Sequence, residues 1–591
     1  MSDTIEKAKK FLSEEQAFRL GELPTESSHP KTKALSETVG SDLAAGIRLL
    51  QSVDEDIPPI VEKVLAQETF QDLVKTFVNA LKARKRIYFT GCGATGRLSI
   101  LLEAAWRRFW HRLKQKHPDI STKMLEMDDR IVSIMAGGDF ALIKSVEGFE
   151  DFPDFGRYQL KQAGVTRGDV VVAITEGGET PFVIGTAWQG LDAGAHVFFV
   201  YNNPTDILRR YIQRSRQVIE EPRIRKLDLT TGPMAITGST RMQAVTIELL
   251  IVGSALEIAL MQFLQEHLSA SQLVKLGLCV RPIMGYHQLF VNLLRQLSNP
   301  AAVEAMARVT EFEENIYRRG GLITYMTDSV MLDVLTDTTE RSPTFMVPPF
   351  RKDGDNCSPQ SWAFVKNPFH PTEKAWRDML QREPRGLEWG PAVYKQLNAP
   401  SILQAQPPRL NNAELFKFRI GNEPDPTRAN AVDSALVVIS VGTQIDHLSH
   451  NGLKRFGSEY KRTAAFAIGS ETAAVQTDEL FQFRCDLSDS PLQLWHHLAV
   501  KLILNTISTA TMVRMGRVVG NAMVWLSPSC KKLIDRGSRL ISQQTGCSYE
   551  QACITLHQTM EEVESHSQQG RETPSPVALA IERISAKRGK S

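Results

Sequence analysis

Apolar and polar positions divide this chain into two stretches where short apolar runs alternate with helical patterns, flanked by helical ends. Leu43, Ile47, Leu50 and Ile60 recur at helical spacing and predict an amphipathic arm. It follows a turn-rich break, Leu23-Pro24-Thr25-Glu26-Ser27-Ser28-His29-Pro30. From about 70 to 270, four apolar runs predict strands: Ile87–Thr90, Ile131–Met135, Val170–Thr175 and Val197–Tyr201. Continuous runs of this kind suit strands covered on both faces, so the stretch reads as a parallel, doubly wound α/β domain. A second alternation begins near residue 290, with runs at Leu322–Met326, Phe345–Val347, Leu436–Val441 and Ala465–Ile468. It reads as a diverged copy of the first. Inside it, the Pro-, Asn- and charge-rich segment 348–430 reads as an insertion. The tail is helical again: Lys532–Gln543, a stop and cap at Gly546-Cys547-Ser548, then Tyr549–Val563. The predicted organisation is an arm (1–60), a first α/β domain (61–270), a degenerate second one (271–525) and a helical C-terminal domain (526–591).

The chemistry concentrates where the first strand run ends, in Gly91-Cys92-Gly93-Ala94-Thr95-Gly96-Arg97-Leu98. Strand, glycine-rich turn and helix in that order build an anion seat. The glycines allow close backbone approach, and free N–H groups at the helix start point at the ligand. Thr95 adds a hydroxyl donor. The motif implies a phosphorylated small molecule. In the second copy the matching turn is Met326-Thr327-Asp328-Ser329, where the acidic Asp328 disfavours phosphate.

Composition narrows the classes. The 591 residues exceed one core, and a net charge of +2 gives no bulk drive toward nucleic acid or anionic membrane. Met1 to Lys10 is charged and lacks an apolar signal core. The most apolar stretch, Thr246 to Leu260, is broken by Glu248 and Glu257 and reads as a buried helix rather than a membrane span. Seven scattered cysteines without a CxxC pair suggest reduced thiols and a cytoplasmic location. Asp446, His447 and His450 resemble a metal set but have no evident fourth ligand, and loop polarity explains them. No metal and no cofactor are expected.

Four blocks then resemble one family. They are Gly91 to Leu98; Ala136-Gly137-Gly138 with Val146-Glu147-Gly148-Phe149-Glu150-Asp151; Thr237-Gly238-Ser239-Thr240-Arg241-Met242; and Lys501 to Thr509 continuing into Gly516-Arg517-Val518-Val519-Gly520-Asn521. The chain resembles the SIS-domain sugar-phosphate proteins, in the branch joining N-acetylmuramic acid 6-phosphate etherases and the glucokinase regulatory protein. Etherases of that family are single-domain subunits that pair with a twin. Here the first three blocks lie in copy one and the fourth in copy two. The resemblance therefore implies two tandem SIS-like domains fused as a pseudo-dimer, with one complete site between them.

The resemblance also assigns candidate residues. Gly91, Gly93, Ala94, Thr95, Gly96 and Arg97 would form the phosphate turn; Ala94 stands where the family has a threonine. Thr175-Glu176-Gly177-Gly178-Glu179-Thr180-Pro181 matches a Ser- and Gly-containing family turn, making Thr175, Gly177, Gly178 and Thr180 candidates for phosphate or sugar hydroxyls. Glu176 and Glu179 are unusual beside an anion; facing away, contacting hydroxyls and marking an altered ligand all remain open. Ser239 and Thr240 are ligand or capping residues, and Arg241 reads as a brace. Glu150 matches a family acidic residue at the sugar, a candidate either to accept hydrogen bonds from sugar hydroxyls or to act as general base. Lys501 would meet phosphate or an anomeric oxygen.

The etherases carry their general acid at the position of Ala105. Glu103, two residues away on the same helix, is rotated by about 200° and should face elsewhere. This loss favours a non-catalytic phosphosugar-binding regulator; a sugar kinase is its candidate partner, which the resemblance itself does not transfer and for which no kinase-binding segment stands out in the sequence. An etherase-like carbon–oxygen lyase with a relocated acid is the alternative, with Glu176 or Glu179 supplying the proton. A sugar-phosphate isomerase rests on fold analogy alone.

Overall fold

The computed structural model describes residues 2–121, 124, 126–146, 148–442, 445–470, 475–565 and 572–588. The apolar runs form two five-stranded parallel sheets. The first contains β1 (Ile87–Gly91), β2 (Ile131–Met135), β3 (Val170–Thr175), β4 (His196–Tyr201) and β5 (Ile224–Asp228), in the order β2-β1-β3-β4-β5. The second contains β6 (Leu322–Met326), β7 (Ala363–Lys366), β8 (Ser434–Val441), β9 (Arg462–Ile468) and β10 (Glu479–Phe483), in the order β7-β6-β8-β9-β10. Strand for strand the two orders are the same, so the second unit is a structural repeat of the first. In each sheet the first strand of the unit lies second from one edge, between the second and third strands, and the connection reverses direction there. Doubly wound sheets bind ligands in the crevice at that point.

The second sheet departs from the sequence reading. Phe345-Met346-Val347 is not a strand. Phe345 closes the helix Met331–Phe345, and Met346 takes a left-handed conformation at its end (φ 53°). The second strand of this copy is Ala363–Lys366, so the non-repeat segment lies between Lys366 and Ser434, and the chain from 348 reaches β7 first.

One long apolar helix from each copy, Gln243–His267 and Leu494–Arg514, packs against the other and forms the centre of the molecule. Gln243–His267 is long and apolar enough to cross a membrane by length and composition, but its apolar window is wholly buried in the fold. The arm helix Leu43–Asp54 packs on Pro300–Arg318 and Leu494–Arg514 of copy two. The two chain ends meet: Ala8 and Phe11 of Ser2–Glu14 pack with Cys553 of Tyr549–Ser565. Buried Glu26 binds Arg536 (2.6 Å) and Arg539 (2.7 Å) of the tail helix Lys531–Thr545. Burial opposes the Glu26 charge, yet the two guanidiniums hold its pKa down at about 2.

Candidate functional site

Strand β1 ends directly in the turn that opens the long helix Gly93–Lys116. Gly91 is required by proximity, since a Cβ there would sit 2.4 Å from the Thr95 carbonyl carbon. Gly93 starts the helix at φ 55°, a conformation glycine adopts without strain. Gly93 and Ala94 line a cavity of about 570 Å³, and N–H groups of a first helical turn have no intrahelical acceptor. The Thr95 hydroxyl, expected to reach the ligand, is instead used locally. It accepts from the Cys92 N–H (3.1 Å), donates to the Cys92 carbonyl (3.0 Å) and is buried. Gly96 also lies behind the turn, in contact range of Met135. Arg97 lines the cavity, donates to the carbonyls of Ala141 and Leu142, and leaves its Nε unpartnered.

Three parts of the chain close the cavity. Copy one supplies the turn, Glu150, Glu176, Thr180, Ser239 and Thr240; copy two supplies Glu340, Ser342 and Thr344; the start of the tail helix Lys531–Thr545 supplies Cys530 and Lys532. Glu150 is held by two thiols from different elements. Cys530 donates to one carboxylate oxygen (2.9 Å) and Cys92 to the other (3.7 Å). Burial pushes both thiols well above their usual range, so each keeps its proton and serves as a weak donor. Glu150, Asp151 and Cys530 place ligand atoms within 4.8 Å of one another. Burial also lifts Asp151 to about 7, so a divalent ion would have to displace protons from both the acid and the thiol.

The two glutamates of the third turn have different roles. Glu179 is buried and fully ionised by its partners, Lys532 (2.8 Å) and Arg214 (2.8 Å); against the cost of burial, these cations hold its pKa below the ordinary carboxylate value. Glu176 lines the cavity without such an ion pair, and burial raises it to about 7. Thr175 is buried, does not line the cavity, and donates to the Thr180 hydroxyl (3.1 Å). Gly177 and Gly178 serve as backbone anchors, their carbonyls accepting from Asn203 and Ser215.

Ser239 and Thr240 line the cavity; neither caps Gln243–His267, which Met242 precedes without a side-chain cap bond. Their loop is braced as the sequence suggested: Arg241 reaches Asp337, Ser508 and Thr509 of copy two. Lys501 lies behind this loop rather than along the cavity. Its ammonium donates to the carbonyls of Arg241 (2.9 Å) and Met242 (3.1 Å) and to the side chains of Thr246 and Asn505. The expected ligand contact is therefore a positioning one, and the lysines that line the cavity are Lys144 and Lys532. Two adjacent lysines, Lys531 and Lys532, in a first helical turn run against the helix dipole, and this was the available sequence signal.

Glu103 does face elsewhere. It is fully buried against Arg382 (3.0 Å), Arg385 (2.8 Å) and Arg107 (3.0 Å), with Ser133 bound to it as well. These partners outweigh burial and keep it ionised far below neutrality. Ala105 is buried in the core. In the degenerate turn of copy two, Asp328 accepts from the Asn367 amide (2.9 Å), and Arg108 of copy one donates to the Ser329 carbonyl (2.8 Å). The side chains of Asp446, His447 and His450 lie outside the described residues.

With this geometry in place, the comparisons are specific. Residues 69–190 match the family described as the glucokinase regulatory protein N-terminal SIS domain. The N-acetylmuramic acid 6-phosphate etherase 1 of Bacillus licheniformis is 28% identical over 234 residues, 40% of this chain and 67% of that protein. The etherase of Salinibacter ruber is 30% identical over 235 residues, 40% of this chain and 66% of that protein. The chain thus spans about two thirds of the length of these relatives. Among solved structures, the C-terminal domain of glucosamine-fructose-6-phosphate aminotransferase from Francisella tularensis aligns at a TM-score of 0.41 and 10% identity, covering 78% of this chain and 95% of that one. The tagatose-6-phosphate ketose/aldose isomerase from Escherichia coli aligns at 0.40 and 8%, covering 83% and 96%.

Proposed function

We propose that this chain, which is similar to SIS-domain proteins of the branch joining N-acetylmuramic acid 6-phosphate etherases and the glucokinase regulatory protein, binds a phosphorylated amino sugar in this cavity and cleaves an ether there. The observation that carries the reading is a pair of carboxylates in one cavity with different surroundings. Glu150 is held by two neutral thiols, while Glu176 is pushed by burial to about 7.

Ether elimination needs both roles. A base takes the proton from the carbon beside the one bearing the ether oxygen, and that electron pair becomes the new double bond. The carbon–oxygen bond breaks, and an acid gives its proton to the departing alkoxide, which otherwise leaves poorly. Glu150 takes the base role and Glu176 the acid role, replacing the family acid that Ala105 lacks. Glu179 is excluded as the acid because Lys532 and Arg214 keep it ionised. The phosphate rests on the N–H groups of Gly93 and Ala94, with Arg97, Lys144 and Lys532 among the cations that line the cavity. A cytoplasmic location and the absence of a cofactor belong to the same reading.

A second reading, a phosphosugar sensor without turnover, is favoured by the burial of Ala105 in the core at the family acid position. In that case a sugar kinase is the partner to seek. Incubation with N-acetylmuramic acid 6-phosphate, with lactate release followed, separates the two. Lactate release that falls by about 10²–10⁴ in Glu176→Gln and in Glu150→Gln supports the lyase. No lactate, together with a phosphosugar-specific thermal shift, supports the sensor.

A further inference from the structure

A second cavity, of about 420 Å³, lies on the other side of Lys501, between the arm helix Leu43–Asp54, the helices Ile283–Leu297 and Pro300–Arg318, and Leu494–Arg514. Its walls are largely apolar: Pro58, Pro59, Leu294, Leu297, Met306 and Leu502. The polar side chains around it are nearly all occupied. Arg48 donates to Gln51 and Glu55, Gln51 to the Leu297 carbonyl, Thr506 to the Leu502 carbonyl, Ser298 to the Arg295 carbonyl, and Arg295 to Asn292.

Asp54 is the exception. It lines the cavity, is 4% exposed, and accepts no hydrogen bond among the described residues. The Lys501 charge acts on Asp54, but its three N–H donors are already shared among the carbonyls of Arg241 and Met242, Thr246 and Asn505. A buried carboxylate without a donor is costly, and a preformed apolar cavity with one convergent polar group has the form of a ligand site.

We propose that this cavity is a second ligand site, for a small organic cation whose ammonium pairs with Asp54 and whose apolar body fills the space against Leu294, Leu297, Met306 and Leu502. The site is separate from the phosphosugar cavity and independent of whether that cavity is catalytic. It lies one residue along the same helix from Lys501, which holds the Ser239 and Thr240 loop, so an occupant acts next to the support of that loop.

The test uses the full chain and benzylamine as the probe, with benzyl alcohol as its uncharged counterpart, read by calorimetry and by ligand-observed NMR. Saturable benzylamine binding is expected, at least tenfold tighter than benzyl alcohol and weakened at least tenfold in Asp54→Asn. Val291→Trp, at the half-exposed mouth, should block both probes while leaving melting and phosphosugar binding intact. Benzylamine that binds Asp54→Asn and Val291→Trp as it binds the parent, or that shows no saturable binding to the parent, overturns the proposal.

Discussion

Glu176 and Glu179 sit three residues apart in one turn, both buried, and their pKa values are pushed in opposite directions, Glu176 up to about 7 and Glu179 below the ordinary carboxylate value. The difference lies in their neighbours. Glu179 meets Lys532 and Arg214 directly, whereas Glu176 meets mostly desolvation. A group that donates its proton works only below its pKa, so turnover should fall as pH rises through about 7, and Glu176→Gln should remove that limb of the profile. A pH–rate curve for lactate release checks it; an alkaline limb that survives the substitution would assign the acid elsewhere. The sequence displayed both glutamates but could not rank them, because the deciding cation, Lys532, is more than 350 residues away along the chain. The same distance hid Cys530 beside Glu150. Thr95 and Lys501 were visible as polar residues at the correct turns. Which way each hydroxyl or ammonium points is set by backbone carbonyls that only the fold brings near.

At the scale of elements, eight strand runs were expected, and seven of them lie within strands of the two sheets. Three edge strands were missed: β5 (Ile224–Asp228) and β10 (Glu479–Phe483) carry charged or polar residues where one side is open and so lack the unbroken apolar run of a covered strand, and β7 (Ala363–Lys366) is a four-residue run inside the segment read as an insertion. Phe345-Met346-Val347 has the apolar character of a strand, but its first residue belongs to a helix whose C-terminus buries it. The segment between β7 and β8 is tied to copy one by Arg382, which bridges Asp139 (2.6 Å) and Glu103 (3.0 Å), while the Asp139 N–H donates to the Arg385 carbonyl and the Arg385 N–H donates to the Asp139 carboxylate. Removing a cation from such a buried network strands the carboxylates. Arg382→Ala should cost about 3–5 kcal/mol and expose residues 367–433 to limited proteolysis. Melting and a digestion pattern like those of the parent would show that the segment is not latched there.

On the scale of the whole molecule, the two copies form one cavity rather than two, since copy two contributes Glu340 and Ser342 to it while its own turn is occupied by Asn367 and Arg108. Calorimetry should therefore count one phosphosugar per chain, without cooperativity; two equal sites would contradict the asymmetry. The chain ends stabilise the same body. Glu26 has a pKa of about 2 when folded, below the ordinary 4.5, so its contribution is present above pH 4.5 and is lost as pH falls toward 2. Glu26→Gln should lower stability by about 3 kcal/mol at pH 7, and the gap from the parent should close in an acid melt series.

The matching strand orders in a single chain also change how substitutions accumulate. In a twofold dimer of identical subunits every mutation appears twice, once on each side of the axis, and a change that suits one half is imposed on the other. Here each change lands once. The second turn could lose its glycines and gain Asp328 while the first kept Gly91 and Gly93, and the long segment after β7 could grow on one side only. Inheritance as one reading frame released the halves from symmetry, and the shared cavity is where their separate histories still constrain each other.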